Sequence, residues 1–147
     1  MQRLVWIGPL VFGAGSLFFF STLVRVRMLV ADDKRWAAST GQPYFSHFGD
    51  AWVGRTHAKA AFAHLTMTPT ALRLVVQWRR YEFPRISITR LGPWSPVWGG
   101  VAIQHSISAY PVGVAFVPKD MRLLVEELET LGYHYDDRLS RGSESNP

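Results

Sequence analysis

The chain contains no cysteine, which excludes disulfide staples, thiolate metal sites and a thiol nucleophile together. Carboxylates are almost as scarce in the middle of the sequence. From Ala51 to Pro118 the only acid is Glu82, so paired-carboxylate chemistry has no second partner there. The histidines, His47, His57, His64, His105 and His134, are scattered, and no His-x-x-x-His or Glu-flanked spacing offers a metal site. A Gly-x-Ser-x-Gly elbow and a glycine-rich phosphate loop are both missing, and Gly99-Gly100 reads as a turn. No enzyme is expected, and no catalytic residue, cofactor or metal is assigned.

What is present begins with a long apolar run. Leu4 to Val24 carries no ionisable side chain, and as a helix it would extend about 31 Å, the thickness of a bilayer's hydrocarbon core. Residues 1–27 are therefore expected to form a transmembrane anchor, with Pro9 and the glycines Gly8, Gly13 and Gly15 tolerated as membrane helices tolerate them. Arg25 and Arg27 follow the run directly, which favours a retained anchor over a cleaved signal. Arg3 precedes the run, whereas Arg25, Arg27, Lys34 and Arg35 follow it. That asymmetry places a single-pass protein in the inner (cytoplasmic) membrane with its carboxyl-terminal domain in the cytoplasm. The alternative is an exported domain, after signal cleavage or with inverted topology. Gly8 and Gly15 share a helix face and hint at helix association, leaving the oligomeric state open.

Residues 28–56 read as a juxtamembrane connector broken at "ASTGQP". Its aromatics, Trp36, Tyr44, Phe45, Phe48 and Trp52, either rest at lipid headgroup level or seal the base of the next domain. Over residues 57–133 the apolar period becomes two and then helical. Ala61, Ala63, Leu65 and Met67 alternate with Phe62, His64, Thr66 and Thr68, and Pro69-Thr70 makes a turn. Leu72, Leu74, Val76 and Trp78 are expected to point inward, with Arg73, Val75 and Gln77 outward. "YEF", "RISITRL", "VAIQHSI" and "VGVAFV" supply further strands, and "GPWSPVWGG" reads as a loop. Met121, Leu124, Val125, Leu128 and Leu131 fall on one helical stripe that ends at Gly132. The polar tail, residues 134–147, is expected to be disordered. The fold class is α+β, mainly β.

The order of several meandering strands closed by one amphipathic helix resembles bacterial pleckstrin-homology-like domains carried on small membrane proteins. The resemblance covers about Trp52 to Tyr133 and rests on "AHLTMTPTALRLVV", "YEFPRISITRL", "GVAIQH" and "VAFVPKDMRLLVEELETLGY". It implies a small antiparallel barrel capped by the closing helix, used for binding and usually without catalysis. In lipid-binding members, basic residues flank the first strand-strand turn. Here that turn reads "TMTPTALR" with Arg73 alone beyond it, so recognition of a phosphoinositide is not implied.

The formal net charge is +5, and it is unevenly distributed. Arg79, Arg80, Arg85 and Arg90 are the candidate contacts for an anionic lipid or an acidic partner; the competing reading is a solvated basic face. Nucleic acid, another polyanion suited to a basic chain, is disfavoured by anchoring in a membrane. The expectation is a membrane-anchored, non-catalytic interaction module that binds a protein partner or the anionic membrane surface.

Overall fold

A computed structural model of the chain describes the backbone of residues 7–137 and the side chains of residues 15–137. Helix α1 (Ile7–Ser39) leads into strands β1 (Phe45–Val53), β2 (Thr56–Ala58), β3 (Ala63–Met67), β4 (Ala71–Val76), β5 (Arg79–Pro84), β6 (Ile88–Pro93), β7 (Val101–His105) and β8 (Val114–Pro118). Helix α2 (Met121–Thr130) follows. All strand pairs are antiparallel, in the order β5-β4-β3-β1-β8-β7-β6 with β2 hairpinned onto β1.

The period-two pattern sets which side chains meet. Leu65 faces Leu74 and Ala63 faces Val76 across β3 and β4, and these residues join Phe83, Ile103 and Phe116 in one buried core. The long central strand β1 belongs to both halves of the sheet: Phe45–Phe48 pair with β3, and Gly49–Val53 pair with β8. The corner between the halves is Gly49, which is buried, and a Cβ there would lie 2.7 Å from the Phe116 ring. Only glycine fits so close an approach. Helix α2 caps the concave side with Leu124 and Leu128 buried. Asp120 starts it by accepting a hydrogen bond from the Leu123 N–H at 3.0 Å, as an N-cap does.

The two end strands of the β5-to-β6 path each carry a contact on their outer edge, which limits edge-to-edge pairing there. On β5 the Glu82 N–H donates to the Tyr110 hydroxyl at 3.3 Å, and Tyr110 packs edge-on against Tyr81 and Phe83. On β6 the Asp136 N–H donates to the Leu91 carbonyl at 2.9 Å, and Tyr135 forms a parallel bridge with Leu91. Residues 134–137 of the expected disordered tail are therefore placed, with Tyr135 and Asp136 held against β6; residues 138–147 lie outside the described residues.

The expected fold, a barrel of pleckstrin-homology-like type behind a transmembrane helix, is corrected in two respects. First, β5 and β6 do not pair, so the sheet is a curled half-barrel with two helices. The short 3-10 turn Arg85–Ser87 separates its edge strands. Second, no helix among the described residues is long and apolar enough to cross a membrane. The apolar run does not end a helix near residue 27: α1 continues through Arg25, Arg27, Asp32, Asp33, Lys34 and Arg35 to Ser39. Its stripe Thr22, Val26, Val30, Asp33 and Ala37 is buried, at the i, i+4, i+8, i+11, i+15 spacing of a helix lying on a surface. Met1 to Trp6 of the expected anchor lie outside the described residues. The expected connector, residues 28–56, contains the docked half of α1 and the central strand.

Candidate functional site: an apolar corner beside an arginine clasp

Helix α1 rests on the convex face of β3 and β4 through a small apolar cluster of Val26, Val30 and Val75, with Leu29 and Phe62 beside it. Charge completes the attachment. Asp33 is fully buried; its Oδ1 lies 2.8 Å from Arg80 Nε and 3.5 Å from Arg73 Nη1. Asp32 Oδ2 takes Arg80 Nη2 at 2.6 Å. Arg73 also holds Glu82 at 2.8 Å, and its guanidinium lies 3.6 Å from the centroid of the Trp36 ring, a cation–π contact. The two aspartates respond in opposite directions. The hydrogen bond and charge of Arg80 pull the Asp32 carboxyl below its ordinary value, whereas burial pushes Asp33 up against the pull of Arg80 and Arg73.

Beyond this clasp, residues 17–20 of α1 are bare. Leu17, Phe18, Phe19 and Phe20 are 73%, 64%, 56% and 65% exposed. Consecutive residues on a helix advance about 100°, so these four side chains point in four directions and all meet solvent. The Ser21 and Thr22 hydroxyls each donate to the Phe18 carbonyl at 2.9 Å, so neither presents an unused donor outward. The β4–β5 hairpin meets this helix end: Phe18 lies edge-on to Trp78 with centroids 6.3 Å apart, and Phe19 edge-on to Phe62 at 5.1 Å. Between them runs a cleft of about 320 Å³ lined by Gly15, Phe18, Phe19, Thr22, Phe62, Gln77 and Trp78.

Trp78 is a correction to the sequence reading, which placed it inward with Leu74 and Val76. Gln77 adopts φ 56°, so the alternation stops at Val76 and Trp78 swings to the outside, 46% exposed. Gln77 occupies the first position of a two-residue hairpin loop, where positive φ usually calls for glycine.

The four candidate arginines do not form one receiving surface. Arg80 is committed to Asp32 and Asp33. Arg90 pairs with Asp136 at 2.9 Å. Arg85 donates to the carbonyls of Pro69 and Leu131, each at 3.3 Å, and of Gly132, so it closes the carboxyl end of α2. Arg79 is exposed beside Trp78, and no salt bridge involves it among the described residues. Arg25 and Arg27 are exposed on α1, and the Arg27 guanidinium lies 5.6 Å from the centroid of the Phe48 ring.

Several histidines and connector aromatics make packing contacts, whereas His134 and Tyr44 are exposed. His47 pairs with Glu127 of α2, and His57 stacks on Trp52 at 4.1 Å. His64 is buried beneath α1 with Phe48 against its ring. Phe45 packs on the core, and Trp52 meets Trp94 at 4.3 Å. No three His, Asp or Glu side chains converge as a metal cluster among the described residues. No protein-family model, curated protein or solved structure matches the chain.

Proposed function

We propose that the chain is a non-catalytic interaction module that works at an anionic membrane surface, where the end of α1 and the Trp78 corner enter the interfacial layer and the half-barrel is held outside. The observation that carries this reading is the exposure of Leu17, Phe18, Phe19 and Phe20 on all sides of the helix. A protein groove covers one face of a helix, whereas lipid surrounds it. Patches of exposed apolar residues mark interaction sites, and amphipathic rings such as Trp78 favour the headgroup boundary. Arg25 and Arg27 follow Phe20 along α1 and Arg79 follows Trp78 on the hairpin, all three exposed, and each basic side chain would gain about 1 kcal/mol beside anionic lipid. Insertion of this end requires no crossing of the bilayer.

Flotation of the full-length protein with vesicles of phosphatidylcholine, with and without phosphatidylglycerol, tests the reading. Binding is expected to need the anionic lipid, to weaken as salt rises, and to drop at least tenfold in a Phe18→Ser, Phe20→Ser, Trp78→Ser variant whose thermal unfolding is unchanged. Equal flotation of that variant, or no flotation of the parent protein, would overturn it.

A further inference from the structure

We infer that the cleft between the end of α1 and the β4–β5 hairpin holds one hydrocarbon chain of a lipid; this rests on the membrane-surface reading and assigns that surface a specific ligand. The cleft, about 320 Å³, is at the small end of ligand pockets, which run about 300–1,000 Å³. Its walls are aromatic: Phe18 against Trp78 on one side and Phe19 against Phe62 on the other. No charged side chain lines it. The Thr22 hydroxyl is turned back onto the Phe18 carbonyl, and the Gln77 N–H is used by the Phe62 carbonyl at 2.7 Å. A polar ligand would therefore find few partners there, whereas a methylene chain needs none.

Gly15 lines the cleft, and an added Cβ there would meet nothing within 4 Å, so a long side chain at this position has room to occupy the space. The hairpin wall is set by Gln77 at φ 56°, which turns Trp78 out of the strand alternation and onto the rim of the cleft. Phe18 and Phe19, which line the cleft, belong to the exposed apolar run Leu17–Phe20 of α1.

The test uses the full-length protein and cis-parinaric acid, a fatty acid whose fluorescence rises in an apolar site, with vesicle flotation measured in parallel. Saturable binding of one parinarate per chain, displaced by oleate, is expected. Gly15→Leu places a branched side chain in the open space, and it should weaken parinarate at least tenfold while flotation on anionic vesicles is retained. Retained parinarate binding in Gly15→Leu, or self-association of the protein that fills the cleft and blocks the probe, would overturn the inference and leave the membrane-surface reading standing. Saturable binding by a protein that does not float would support the cleft and sink that reading.

Discussion

Asp33 Oδ1 lies 2.8 Å from Arg80 Nε, while its other oxygen, Oδ2, is buried without a hydrogen-bond partner. The Arg80 Nε–H is itself not aimed along a hydrogen bond, so this contact is one of charge. A buried pair with incomplete hydrogen bonding stabilises less than its distance implies, although removing one partner is costly. Arg80→Met is expected to lower unfolding free energy by roughly 2 kcal/mol, after discounting for its partial exposure. Asp33→Asn, which removes the desolvated charge, should stay within about 1 kcal/mol of the parent at neutral pH. Because burial raises the Asp33 pKa, its stability contribution is present at low pH and lost as pH rises through that raised value. Urea melts from pH 4 to pH 7 should therefore show this component in the parent and not in Asp33→Asn.

His64 has the opposite sign. Burial, with Lys34 and His47 adding repulsion, depresses its pKa from 6.5 to about 4. The Thr66 hydroxyl and the Phe48 ring are its contacts on the sheet. Stability tied to neutral His64 is complete above pH 6.5 and is lost as pH falls toward 4, amounting to about 3 kcal/mol over that range. His64→Phe is expected to flatten the loss. A variant that loses stability as steeply as the parent between pH 6.5 and pH 4 would show that another group is responsible.

The end of α2 depends on Arg85 and Tyr133. The Tyr133 hydroxyl, whose pKa burial pushes up to about 12, donates to the Thr68 carbonyl at 2.8 Å. Tyr133→Phe leaves that buried acceptor short of a partner and should cost about 1–2 kcal/mol. Arg85→Ala loses its three carbonyl contacts and should cost a similar amount. Arg85→Lys should rescue it poorly, since an ammonium lacks the planar fork. Chemical denaturation of the three variants checks the ranking.

At the bend of β1, Gly49→Ala drives a methyl group into the Phe116 ring and the Val117 carbonyl. A loss of about 3 kcal/mol or more is expected. Gly15→Ala, where space is open, should be neutral or slightly stabilising, since alanine is the better helix former. Thermal melts of the pair compare a packed with an open glycine.

Much of the half-barrel was legible along the chain. Ala63, Leu65 and Met67 alternate with His64 and Thr66, and Leu72 and Leu74 with Arg73, because a strand sends successive side chains to opposite faces. Leu124 and Leu128 were likewise visible as a helical stripe. Trp78 was not, because one residue with positive φ ends the alternation that located it. The arginines read as a single basic face because their acids lie far away: Asp32 is 48 residues before Arg80, and Asp136 is 46 after Arg90.

The amino-acid order alone determined the inward residues of β3 and of β4 as far as Val76, the amphipathic closing helix and the apolar character of the early part of α1. These depend on local periodicity and composition, which neighbours in sequence suffice to define. Only tertiary structure decided that the sheet stays open between β5 and β6, that α1 runs on to dock against the convex face, and that Phe18, Phe19, Phe62 and Trp78 surround one cleft. Those outcomes depend on distant groups meeting, an aspartate on a helix with an arginine on a strand, and no local pattern encodes such a meeting.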